Sequence, residues 1–209
     1  MFFRFISPDK IYNSKKNTLI ELRLKKTLLR LDFSFFAVIA LFLFLDSTGF
    51  GMSALFACAL HELSHLLIML MFGISPEIMT FYGAGIRITS SETQYAAMLP
   101  RLLILSAGCA ANFAAFALFW LNGAYAPAVI NLFIGIFNLL PVGELDGAAL
   151  LRTVLIRLCA AEKIDRCMKT AAILSSVMIF AAVILFGGGI SFTLITTALY
   201  LLIVSSRYI

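Results

Sequence analysis

Charge and imidazole are both scarce in this chain. Asp, Glu, Lys and Arg make up 13% of its 209 residues, and histidine occurs twice. Soluble domains carry about 25% charged residues, so an ordinary soluble fold is excluded. The four cysteines show no paired spacing, which excludes a disulfide scaffold. Cys58 and Cys109 fall in apolar runs, where each reads as a small buried residue, although Cys58 shares the general helix face of His61. No cleavable signal peptide is expected, because the first 27 residues are polar and basic and lack a short apolar core. With only two histidines, any metal site needs a carboxylate or thiolate as well.

Apolar residues fill the space that charge leaves. They make up 62% of the chain, with a mean hydropathy of +1.01. A helix needs roughly 20 residues to cross about 30 Å of hydrocarbon. Six runs approach that length, at approximately 28–45, 51–72, 99–120, 127–143, 170–186 and 190–206. The predicted class is therefore an all-α polytopic membrane protein. The first run needs Arg30 and Asp32 to snorkel outward, and Gly187-Gly188-Gly189 separates the last two. All 16 basic residues fall on one side of this six-span arrangement, and the opposite loops hold none. The positive-inside rule makes that side cytoplasmic, with both termini there. Basic loops beside anionic lipid account for the net charge of +5 without any nucleic acid.

Residues 1–27 form a basic cytoplasmic segment, and 28–209 a single membrane domain with its core at about 51–150. Ile20 to Leu24 alternates apolar and charged side chains and suits either a short strand or an interfacial helix. Phe81 to Ile88 surrounds Gly83 and Gly85 with aromatic and β-branched residues, predicting a short hairpin or edge strand. The connection 144–169 is predicted to hold an amphipathic helix with Leu150, Leu151, Val154, Leu155 and Leu158 on one side.

Both histidines lie in the second apolar run, as His61-Glu62-Leu63-Ser64-His65. Three such groups are costly in hydrocarbon and demand a function. Spacing of i, i+4 stacks the imidazoles on one helix face, the arrangement of a zinc site whose intervening glutamate serves a metal-bound water. A catalytic zinc takes three protein ligands. The acidic residues near membrane depth are Asp32, Asp46, Glu144 and Asp146. Asp146 is the strongest, because Pro141 should interrupt the fourth helix and Gly143 and Gly147 free the backbone beside it. A broken helix at that depth is tolerated where it lines a cavity.

These residues resemble the site-2 protease family of intramembrane zinc metalloproteases. That family pairs H-E-x-x-H with N-x-x-P-x(4)-D-G, and here the second pattern reads Asn138-x-x-Pro141-x(4)-Asp146-Gly147. The resemblance extends to the glycine-containing hairpin and to a G-P-x-x-N helix, which reads Gly108-Cys109-Ala110-Ala111-Asn112 with cysteine in place of proline. It is most similar to the branch containing the bacterial sporulation-factor processing protease. The nucleotide-sensing C-terminal domain frequent in that branch is not expected here.

The resemblance implies one Zn2+ per chain held by His61, His65 and Asp146, with Glu62 as the catalytic acid/base. Pro141 and Gly147 shape the site. Asn112 and Asn138 are candidates for the oxyanion or the substrate backbone, and the strand around Gly83 and Gly85 for pairing with an unwound substrate. The partners implied are a transmembrane protein substrate, the lipid bilayer of a bacterial plasma membrane, and a regulatory membrane protein; nothing sets an oligomeric state. Two alternatives stand beside this reading: an inactive metal-binding scaffold, which would have no use for Glu62, and an ion-relay transporter, which would need polar groups in the outer half of the membrane.

Overall fold

The computed structural model describes residues 18–186 apart from 25–26, 47–48, 84, 91, 94–95 and 144. The start of the basic N-terminal segment, the triple-glycine turn and the sixth predicted span lie outside the described residues. The chain divides into two compact units at Asn138.

The first unit opens with two strands, β1 (Thr18–Leu24) and β2 (Thr27–Asp32). Their antiparallel register sets Glu21 opposite Arg30, and the two side chains form an ion pair of 3.0 Å. Such a cross-strand pair is worth about 0.2–1 kcal/mol. Arg30 is thus buried by pairing within a sheet, and does not snorkel from a membrane helix as the hydropathy suggested. Asp32 then caps α1 (Phe33–Leu45) by accepting from the Ser34 N–H at 3.2 Å. At 13 residues this helix is about 20 Å long. The first predicted span is therefore part strand and part short helix.

Helix α2 (Phe50–Met71) carries the histidine pair. Asp46 caps it, accepting from the N–H groups of Phe50 and Met52. The chain then forms the predicted hairpin, β3 (Ile78–Tyr82) and β4 (Gly85–Thr89). β3 runs parallel to β2, so the hairpin completes a four-stranded sheet in the order β1-β2-β3-β4. The all-α expectation is corrected accordingly. Long-range pairing in β2 and β3 leaves no periodic mark on the apolar residues Leu28, Leu29 and Leu31.

Two more helices complete the first unit, α3 (Met98–Leu121) and α4 (Tyr125–Asn138). They pack on each other and on α2. Small residues allow the approach: a Cβ on Gly135 would lie 2.9 Å from the Phe113 ring. Large apolar side chains point outward, including Phe56, Leu63, Leu67, Leu118 and Phe133, while His61, Glu62, His65, Asn112 and Asn131 are buried. Polar inside and apolar outside is the distribution a bilayer imposes. Trp120 and Tyr125 meet at the α3–α4 turn, suited to an aqueous boundary.

In the second unit, a turn over 139–145 leads to α5 (Asp146–Leu158) and α6 (Ala161–Phe186). α5 is the predicted amphipathic helix, although Leu158 is exposed. The fifth predicted span is the later part of α6, which starts with charged turns. Among the described residues, α2 and α3 are long and apolar enough to cross a membrane, and α4 is apolar but shorter.

Candidate metal centre

His61 and His65 lie one turn apart on α2 and face α3. Three α3 residues spaced four apart form the surface they meet: Ile104, Gly108 and Asn112. His65 donates from Nδ1 to the Ile104 carbonyl at 2.6 Å. His61 donates from Nδ1 to Asn112 Oδ1 at 2.7 Å. Each acceptor holds a proton on Nδ1, which leaves Nε2 of each ring as the atom able to bind a metal. Those two atoms converge to 3.1 Å. Two imidazole nitrogens brought together in this way are suited to share one cation, and the pair therefore fits a metal ion.

Gly108 supplies the space. A Cβ there would lie 2.5 Å from Nε2 of both His61 and His65. Any side chain at this position would enter the volume into which both lone pairs point. The first glycine of the G-x-x-x-N stretch is accordingly a requirement of the site rather than of the helix.

The amide of Asn112 is committed on all sides. Its Nδ2 donates to the Ala57 carbonyl on α2 at 3.1 Å and to Asn131 Oδ1 on α4 at 2.9 Å. Asn131 in turn donates to the Pro127 carbonyl at 2.9 Å. Asn112 thus binds the imidazole, which differs from the oxyanion role considered for it. Asn131 escaped the reading of the sequence. Its signal was present as an amide in an apolar helix, seven residues before Asn138 and so on the same face two turns away.

Glu62 is buried beside the pair, at 2% exposure. Asn138 is also buried, with Nδ2 donating to Ile134 O at 3.0 Å, and its Oδ1 accepts no hydrogen bond among the described residues. Gly83 and Gly85 form the β3–β4 turn, where the Gly83 N–H donates to Ser34 Oγ at 2.9 Å and Gly85 has φ of 130°. The turn is thereby tied to α1.

In the second unit, α4 has ended before Pro141, as that residue requires. Asp146 is the first residue of α5 and is 1% exposed. The positive end of a helix favours a negative side chain there. Gly147 follows because a Cβ would collide with the carbonyls of Leu139 and Leu140. Gly147→Ala is expected to lower stability by about 1–3 kcal/mol through this collision, measured by thermal unfolding in detergent; unchanged melting would contradict the tight turn. Of the other acidic candidates, Asp32 and Asp46 serve as helix caps, and Glu144 lies outside the described residues.

A helix-borne H-E-x-x-H pair within an apolar exterior is the arrangement expected of a metal-binding membrane protein. Residues 118–185 match the model of Peptidase family M50, a stretch that contains Asn138, Pro141, Asp146 and Gly147 but not the histidines. The fold is similar to that of the site-2 protease from Methanocaldococcus jannaschii, with a TM-score of 0.59 and 16% identity over 90% of this chain and 94% of that one. No curated protein matches in sequence. The segment match and the fold together support the site-2 protease family of membrane metalloproteases.

Proposed function

We propose that this chain is an intramembrane zinc metalloprotease that hydrolyses a peptide bond within or near a transmembrane segment of another membrane protein. The observation that carries the reading is the pair of buried imidazoles on α2, whose Nε2 atoms converge to 3.1 Å beside the buried Glu62. Asp146, buried at the first residue of α5, is the carboxylate proposed as the third ligand. Two imidazoles and one carboxylate, with a second carboxylate beside them to serve the water, are the groups of a catalytic zinc site.

Zinc, when bound, supplies Lewis acidity and makes water nucleophilic near neutral pH. Glu62 accepts the proton released by the attacking water and delivers it to the leaving amine. Asn138 Oδ1, buried and able to accept, receives an N–H of the extended substrate. The outer edge of β4, last in the sheet order among the described residues, aligns that segment by main-chain pairing. Partition of the basic residues supports a multi-pass arrangement with a core at about 51–150, both termini cytoplasmic and water reaching the site from that side. The alternatives fare worse: a scaffold has no use for Glu62, and a relay needs polar groups on both halves of the membrane.

Ligand substitutions test the reading. His65→Ala and Asp146→Ala are each expected to lose stoichiometric zinc in the purified protein, together with cleavage of co-expressed single-span substrates. Full zinc content in Asp146→Ala would remove the aspartate from the site.

A further inference from the structure

The two histidines are oriented by unequal means. His65 is held by a backbone carbonyl, which has no second orientation. His61 is held by a side-chain amide, and an amide can be turned over. With Asn112 reversed, its NH2 group would face His61 Nδ1 and stabilise the ring protonated on Nε2. That proton would point at His65 Nε2, only 3.1 Å away. The result is a well-bonded arrangement with no lone pair left for a metal between the rings. The site therefore has a competitor, and something must exclude it.

We propose that Asn131 is the positioning residue that sets the tautomer of His61, acting through Asn112. Its orientation is fixed by donation to the Pro127 carbonyl, which leaves Oδ1 directed at Asn112. Oδ1 accepts from the correctly placed Asn112 and would repel the oxygen of a reversed one. Ala57 O adds a second acceptor on the same side. One short path thus runs from the first turn of α4, across α3, to the histidine on α2. Its metal consequence rests on the metalloprotease reading, whereas the tautomer it sets does not.

A double-mutant cycle in the full-length detergent-solubilised chain tests this, with zinc affinity read by chelator competition. Asn131→Leu keeps the branched shape, and the apolar cavity of about 360 Å³ that Asn131 borders leaves room for the larger side chain. It is expected to weaken zinc binding about 10–100-fold, the usual cost of losing such a partner. In an Asn112→Asp background the same substitution should cost less than about threefold, because a carboxylate accepts from His61 whichever way it faces. Equal losses in both backgrounds would overturn the relay and leave Asn131 a packing residue.

The tautomer can also be read without any metal. Only two histidines are present, so ¹⁵N-histidine spectra of the metal-free protein resolve every ring nitrogen. The proton of His61 is expected on Nδ1 in the wild type and to shift in part to Nε2 in Asn131→Leu, where Ala57 O alone opposes reversal of Asn112. Asn131→Asp retains the acceptor and should retain the wild-type spectrum, which keeps the test open should the leucine variant not fold. Loss of the Nδ1 proton in Asn131→Asp, or its undiminished persistence in Asn131→Leu, would refute the proposal. A wild type that binds no zinc yet shows these spectral changes would retain the relay and remove the protease.

Discussion

Glu62→Gln is expected to retain zinc at wild-type stoichiometry while cleavage falls by about 10²–10⁴-fold, the range general acid–base groups supply. Glutamine matches glutamate in volume, so the substitution leaves the packing of a side chain that is 2% exposed. What it removes is the ability to take a proton from water and return it to the departing amine. His61 and His65 keep their Nδ1 partners, and the metal ligands are untouched. Co-expression with single-span substrates reads the cleavage, and elemental analysis of the purified protein reads the zinc. Wild-type cleavage by this variant would end the protease mechanism. Simultaneous loss of zinc would instead make Glu62 a ligand.

Gly108→Ala should abolish both zinc binding and cleavage, yet leave the helix that carries it formed. The two effects pull in opposite directions for a physical reason. Alanine favours a helix interior over glycine by about 1 kcal/mol. Its methyl group, however, would sit 2.5 Å from both Nε2 atoms, while zinc bonds imidazole nitrogen at about 2.0–2.1 Å. Metal and methyl cannot share that volume. Helix content of the metal-free protein checks the first half, and zinc stoichiometry the second. Stoichiometric zinc in Gly108→Ala would place the ion away from the point where the lone pairs converge.

The histidine pair was legible because its meaning is local. A spacing of four residues determines a shared helix face whatever surrounds it. The same holds for Pro141, which ends α4 by lacking an N–H, and for the hairpin around Gly83 and Gly85. The first predicted span misled for the opposite reason. Hydropathy scores Leu28, Leu29 and Leu31 as membrane residues, but their backbone pairs with Ile78 to Phe81, some 50 positions later in the chain. No window along the sequence contains that partner. Asp32 and Asp46 likewise looked available for a metal until their backbone partners were visible.

By itself the sequence determined which groups can perform chemistry: two imidazoles in phase, a glutamate between them, and a carboxylate placed after a helix-breaking proline. Those follow from covalent structure and helical period alone. Tertiary structure decided what each group is allowed to do. Only the crossing of α2, α3 and α4 puts Ile104, Gly108 and Asn112 under the two rings, and only that crossing lets Asn131 reach Asn112. A tautomer depends on which acceptor lies within hydrogen-bond distance, and an open coordination volume depends on what a neighbouring helix lacks. Both are properties of packing between segments far apart in the chain.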